Sequence, residues 1–161
     1  MTVDERITLG LVACILAFGV LSVAPVLLGK RVVEPFSELG ILGPNMKLGD
    51  YPKDGVTGEP FDLYLYLGNH EGNVQYYQVI VKQGDQSQNV TEDTPLDAPL
   101  ITIYEHSLIN KQNTTIPISL APIRSGINQR IVFELYRYDT GSQGFEYNGN
   151  WLQLWMNVTD S

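Results

Sequence analysis

Apolar and polar residues in this chain follow first no period and then a period of two. From Ile7 to Leu28 the sequence ITLGLVACILAFGVLSVAPVLL carries no charged residue, and its hydroxyls are Thr8 and Ser22 alone. Coiled as a helix of roughly 22 residues at ~1.5 Å each, it would reach about 33 Å, enough to cross the hydrocarbon core of a bilayer. A helix also satisfies every peptide group within the segment, as lipid demands. The pattern therefore predicts a short tail over 1–6, a transmembrane helix over 7–29 and a folded domain over 30–161.

Past the apolar run, Pro35, Gly40, Gly43 and Pro44 oppose a helix while Phe36, Leu39, Ile41 and Leu42 remain apolar, which predicts a first extended strand close to the membrane. Pro44 to Gly58 has turn chemistry. Phe61 to Leu67 alternates, with Phe61, Leu63, Leu65 and Leu67 on one face, and Val74 to Lys82 alternates with Tyr77, Val79 and Val81 inward. We expect these two to form a hairpin across Gly68–Asn73. Gly84 to Pro99 is a polar loop, with a short edge strand expected near Asn89. Further strands are predicted over Leu100–Glu105, Thr114–Leu120, Arg130–Tyr138 and Trp151–Val158, and Asp139 to Gly144 reads as a connecting turn. Pro117 cannot donate to a ladder, which makes its strand an edge. Ile131, Phe133 and Leu135 should face the core opposite Leu152, Leu154, Met156 and Val158. About seven short strands joined by turns describe an all-β, immunoglobulin-like antiparallel sandwich preceded by one N-terminal transmembrane α-helix.

Charge narrows the partners. The net charge is −8 and the pI about 4.6, so no clustered basic surface exists for nucleic acid or for anionic lipid headgroups. The one cysteine, Cys14, lies in the apolar run, leaving the domain neither a disulfide nor a thiolate metal site. The flank MTVDER is acidic on balance, the run exceeds a signal-peptide core, and Pro25 would follow a cut after Ala24; these features predict an uncleaved anchor.

Orientation rests on opposed signals. Lys30 and Arg31 after the helix favour a cytoplasmic domain. Three Asn-x-Thr sequons, at Asn89, Asn113 and Asn157, favour the exterior, as does a composition poor in charge and rich in Asn, Gln, Thr and Tyr. We expect the domain outside the cell membrane, with these asparagines as glycosylation candidates. Gly10, Ala13, Cys14, Ala17 and Ala24 give the helix a face of small residues, on which Gly10, Ala13 and Ala17 are candidate contacts to another membrane helix.

The segments Phe36–Asn45 (FSELGILGPN), Gly58-Glu59-Pro60, Gly68–Gly72 (GNHEG) and Tyr76-Tyr77 resemble an uncharacterised archaeal membrane-protein family, domain of unknown function sixteen-sixteen. The C-terminal pieces Phe133–Tyr136, Phe145–Tyr147 and Leu154–Thr159 match as well, so that the resemblance covers roughly Val33 to Thr159. It implies an archaeal origin and an exterior domain on a membrane anchor, and no activity. Many members carry several membrane helices where this chain has one apolar run, so functions of those helices do not carry over.

Catalytic and ligand chemistry is sparse. His70 and His106 are the two histidines, too few for a zinc site and without the cysteine of a blue-copper site. Asn69-His70-Glu71 reads as turn geometry. Ser107 follows His106 directly, and adjacent strand residues point to opposite faces. Neither a nucleophile elbow nor a His-Glu-x-x-His motif occurs. Glu92 and Asp93 read as solvated loop acids, and Asp85, Glu92, Asp93 and Asp97 fit no calcium-loop spacing. We expect no cofactor, no metal and no enzymatic activity.

Aromatic residues are the clearest surface signal. Tyr64 and Tyr66, Tyr136 and Tyr138, and Trp151 and Trp155 all stand opposite the core-facing positions of their strands. If the last two strands pair, Tyr136, Tyr138, Trp151 and Trp155 form an exposed band of candidate contacts, the alternative being that a loop or the membrane-proximal segment covers them or that the inward face is reversed. The expectation is a single-pass accessory or assembly subunit of a larger cell-envelope complex, its partners being the bilayer and other membrane-protein subunits, with glycans as a further class. The alternatives are a carbohydrate-binding or surface-layer-binding module, or a pilin-like filament subunit.

Overall fold

Strands form where the sequence alternates, and they stack because each buries its apolar face. The computed structural model describes residues 34–161. The expected membrane helix and its seam residues Gly10, Ala13 and Ala17 lie outside the described residues. Among those described, no helix is long and apolar enough to cross a membrane, and eight strands make up the regular structure. They are β1 (Ser37–Leu42), β2 (Asp54–Val56), β3 (Phe61–Asn69), β4 (Gln75–Gly84), β5 (Leu100–Leu108), β6 (Asn113–Leu120), β7 (Gly126–Asp139) and β8 (Gly144–Thr159).

The strands form two sheets, ordered β1-β3-β6 and β2-β8-β7-β4-β5. This is the strand distribution of an immunoglobulin-like sandwich, with β5 joined to the edge of the larger sheet. The core lies between the sheets. Leu63, Leu65 and Leu67 of β3 and Ile118 and Leu120 of β6 meet Tyr77, Val79 and Val81 of β4 and Ile131, Phe133 and Leu135 of β7, all buried. Met156 and Val158 join them, with Leu152 and Leu154 partly buried beside them. These inward faces are those the alternation predicted. Pro117 sits on β6, an edge strand, where its missing N–H costs no ladder bond.

Four expectations are corrected. β3 and β4 do not form a hairpin: they belong to different sheets and face each other across the core. Their leucine and valine faces gain more by stacking than by lying edge to edge, and the chain turns a corner between them. Fully buried Asn69 holds that corner, its Nδ2 donating to the carbonyls of Asn73 and Leu108 at 2.8 Å and its Oδ1 accepting from the Glu71 amide at 3.0 Å. Second, the turn-rich Pro44–Gly58 segment contains β2, which pairs parallel with the end of β8, so the sandwich is not wholly antiparallel. Third, no strand forms near Asn89; Asp85 to Pro99 is a loop. Fourth, β7 and β8 run longer than predicted, because the chain continues through polar positions wherever the neighbouring strand supplies ladder partners.

Buried polar groups are matched where the core needs them. Gln83, fully buried, donates to the Arg124 carbonyl at 2.7 Å and accepts from the Ile123 amide at 2.7 Å, fixing the β6–β7 connection. Burial raises the Tyr77 hydroxyl's pKa, and the group shares a 2.9 Å hydrogen bond with Ser37 Oγ. Ser37 Oγ donates to Glu71 at 2.6 Å, and Glu71 accepts from Arg137 at 2.9 Å. This chain of bonds ties β1, the corner, β4 and β7 together at the end of the sandwich where the chain comes into β1.

Candidate functional site

The outer face of the larger sheet collects the aromatics, and β-register decides their neighbours. On β7 and β8, Arg130 stands opposite Trp155, Val132 opposite Gln153, Glu134 opposite Trp151, Tyr136 opposite Tyr147, and Tyr138 opposite Phe145. The register shifts between Glu134 and Tyr136, where Asn148 to Asn150 form a bulge. Gly149 in the bulge has φ +84°, and a Cβ there would stand 2.9 Å from the Glu92 carbonyl oxygen, so the 85–99 loop rests directly on its backbone.

That loop breaks the expected band. It folds back over the middle of the face, and its Val90 and Leu96 form a second core with Val132, packed by Ala98 and Trp151. Polar groups clamp it. The Glu134 carboxylate, with no exposed surface, pairs with Lys82 Nζ at 2.9 Å and accepts from the Leu96 amide. Lys82 Nζ also donates to the Leu96 carbonyl at 2.7 Å. Arg130 Nη2 donates to the Gln88 carbonyl at 2.6 Å, and the Tyr147 hydroxyl to the Thr91 carbonyl at 2.8 Å. Burial, then the charges of Glu134 and Glu92, push the Tyr147 hydroxyl up to about 12. Burial, reinforced by Glu134, raises Tyr136 also.

The loop covers part of the band and leaves the rest exposed. Trp151 is covered by the loop, and Tyr136 is half-buried against Tyr147 at 5.4 Å between ring centroids. Tyr138 and Trp155 remain out, at 37% and 40% exposure, at opposite ends of the face. Periodicity placed all four on the right face but cannot show that a distant loop returns to it.

Sequence reasoning missed the partners of Tyr138. At the end where the chain comes into β1, Tyr76, Tyr138 and Phe145 pack ring on ring, Tyr76–Phe145 at 5.1 Å and Tyr138–Phe145 at 5.5 Å. Exposed Glu105 borders them. Glu105 accepts hydrogen bonds from Tyr76 and Gln78, which hold its carboxyl below the usual range and raise the Tyr76 hydroxyl. The outward position of Tyr76, next to inward Tyr77, was the signal available.

The remaining candidates are separate. Asn89 and Asn113 are exposed. Asn157 is exposed too, but its carboxamide donates to Asp54 at 3.3 Å and accepts from the Asn128 amide at 3.1 Å. His70 stacks on Phe36 at 4.5 Å, with Nε2 3.5 Å from Glu38. Among the described residues no group of three or more His, Cys, Asp or Glu is placed to hold a metal ion. Asp85 is engaged in its own turn, accepting from the Ser87 amide at 2.8 Å, and those Ser87 hydrogen bonds lower its pKa.

Among solved structures the chain is similar to the CARDB domain of a Pyrococcus furiosus protein in complex with di-metal ions, at 13% identity and a TM-score of 0.47, covering 81% of this chain and 95% of that one. It is also similar to a β-glucosidase from Listeria innocua in complex with glucose, at 12% identity and TM-score 0.43, over 77% of this chain and 16% of that one. A third is native alpha-2-macroglobulin from Escherichia coli, at 15% identity and TM-score 0.44, over 79% and 17%. No curated protein matches. The model of one family, described as "Domain of unknown function (DUF1616)", matches residues 31–157, and the chain belongs to that family.

Proposed function

We propose that this chain is a non-enzymatic, single-pass accessory subunit of an archaeal cell-envelope complex, held by its 7–29 segment with the sandwich outside the membrane. The observation that carries this reading is the partly exposed Tyr76–Tyr138–Phe145 cluster at the end of the sheet where the chain comes into β1. Rings that pack on one another yet stay partly in water supply the anchors of a protein interface, because covering them removes apolar area at little entropic cost. The Glu105 carboxylate beside them favours a partner that presents Lys or Arg there. The apolar run, the sequons at Asn89, Asn113 and Asn157, and the small-residue seam at Gly10, Ala13 and Ala17 support the membrane and exterior parts of the reading.

The test is gentle detergent extraction from the native membrane followed by native mass spectrometry. The expected result is a defined hetero-complex that loses its partner when Tyr138 and Phe145 are both changed to Ala. A lone monomer, a homopolymer, or a complex indifferent to the double substitution would overturn the proposal.

A further inference from the structure

We infer that the groove between the Asp50–Lys53 segment and β8 is a binding subsite for a neutral pyranose sugar, a role distinct from the assembly contact. The groove encloses about 470 Å³ and is walled by Asp50, Tyr51, Lys53, Gln153 and Trp155 among others. That size lies within the roughly 300–1,000 Å³ typical of small-molecule sites.

Its floor is a fixed aromatic ring. The Arg130 guanidinium lies 5.5 Å from the centroid of the Trp155 ring, and Arg130 is 7% exposed while Trp155 is 40% exposed. The indole thus caps the arginine and turns its free surface to solvent. Arg130 is itself held by the Gln88 carbonyl, so the ring is ordered before any ligand arrives and little entropy is lost on binding. An ordered indole face suits the C–H-rich face of a pyranose, since its negative quadrupole attracts polarised C–H groups.

The walls supply what hydroxyls need. Gln153 Oε1 is buried without a hydrogen-bond partner among the described residues. Burying an acceptor without a donor is unfavourable, and turning the carboxamide into the groove would give it a hydroxyl donor. Exposed Asp50 adds a carboxylate acceptor and exposed Lys53 an ammonium donor. With one charge of each sign at the rim, the site favours a neutral ligand that both donates and accepts. The wall is braced on both sides: Tyr51 donates to the Ile41 carbonyl at 2.7 Å, and the Lys53 carbonyl accepts from the Asn157 amide at 2.8 Å.

The test uses the full chain in a detergent without a sugar headgroup and, as probes, maltotriose, cellotriose and mannotriose at up to about 10 mM. Saturation-transfer NMR should show contact with the ring protons of at least one probe. Trp155→Ala should weaken that binding at least about tenfold, Gln153→Leu about fivefold, and Trp155→Tyr, which keeps a ring and serves as the control for folding, about threefold or less. No transfer from any of the three probes, or undiminished binding in Trp155→Ala, would overturn the assignment.

Discussion

Trp151 and Trp155 stand on the same strand and on the same face, with Gln153 between them, yet their surroundings are opposite. Trp151 seals the second core beneath the 85–99 loop, whereas Trp155 lies over Arg130 with its free surface in solvent. Residue type and strand position are the same, so neither explains the difference. What differs is the reach of the loop, which is set by the polar groups beneath it. Glu134 and Lys82 hold the loop at Leu96, and Tyr147 holds it at Thr91, all over the middle of the sheet. A buried ion pair is weak evidence of stability, but it specifies where a segment lands, because landing elsewhere leaves a charge unpaired.

The largest effect should come from removing the clamp. Glu134→Ala leaves the Leu96 amide and Lys82 without their partner and should cost about 3–5 kcal/mol. Urea unfolding measures the loss, and faster cleavage after Glu92 by a glutamate-specific protease reports release of the loop. A variant that unfolds at the wild-type midpoint with its loop still protected would show that the clamp does not hold the loop.

The two tryptophans give the next contrast. Trp151→Ala opens the second core and should cost about 2–3 kcal/mol, below the usual core value because the ring is only partly buried. Trp155→Ala should cost about 1 kcal/mol or less, the range of an exposed ring. Thermal melts of both variants compare them directly, and equal losses would contradict the difference in covering.

The smallest effect is in alkali. Tyr147 ionises at about 12 in the folded chain against an ordinary value of 10.0. Below pH 10 the hydroxyl is neutral in both states and its contribution is fully present. Between pH 10 and 12 the unfolded chain ionises while the folded chain does not, so stability falls as pH rises. Tyr147→Phe should flatten part of that fall, read as the change in urea midpoint between pH 9 and 11. Identical slopes would show that Tyr147 is not held neutral by the loop.

Much of the fold was legible because alternation of side chains is a local property. The inward residues of β3, β4, β6, β7 and β8, the edge position of Pro117's strand and the outward direction of both tryptophans all follow from period two. The β3–β4 connection was misread because a hairpin and an inter-sheet corner have the same turn composition. Only Asn69's bonds to Asn73 and Leu108, the latter far along the chain, distinguish them. β2 went unseen because three residues carry no periodicity of their own. Tyr76 and Phe145 were passed over because their meeting depends on β4 and β8 flanking β7.

By itself the sequence determined that the domain is built of strands, which faces are apolar, and that Ile7 to Leu28 is an apolar run without charge. Those properties belong to neighbouring residues and to their free energy of transfer from water. Only the tertiary structure decided which outward residues stay outward. Glu134 and Lys82 lie far apart along the chain and look like solvated charges, until sheet pairing sets them beneath a returning loop, where burial requires that they be paired.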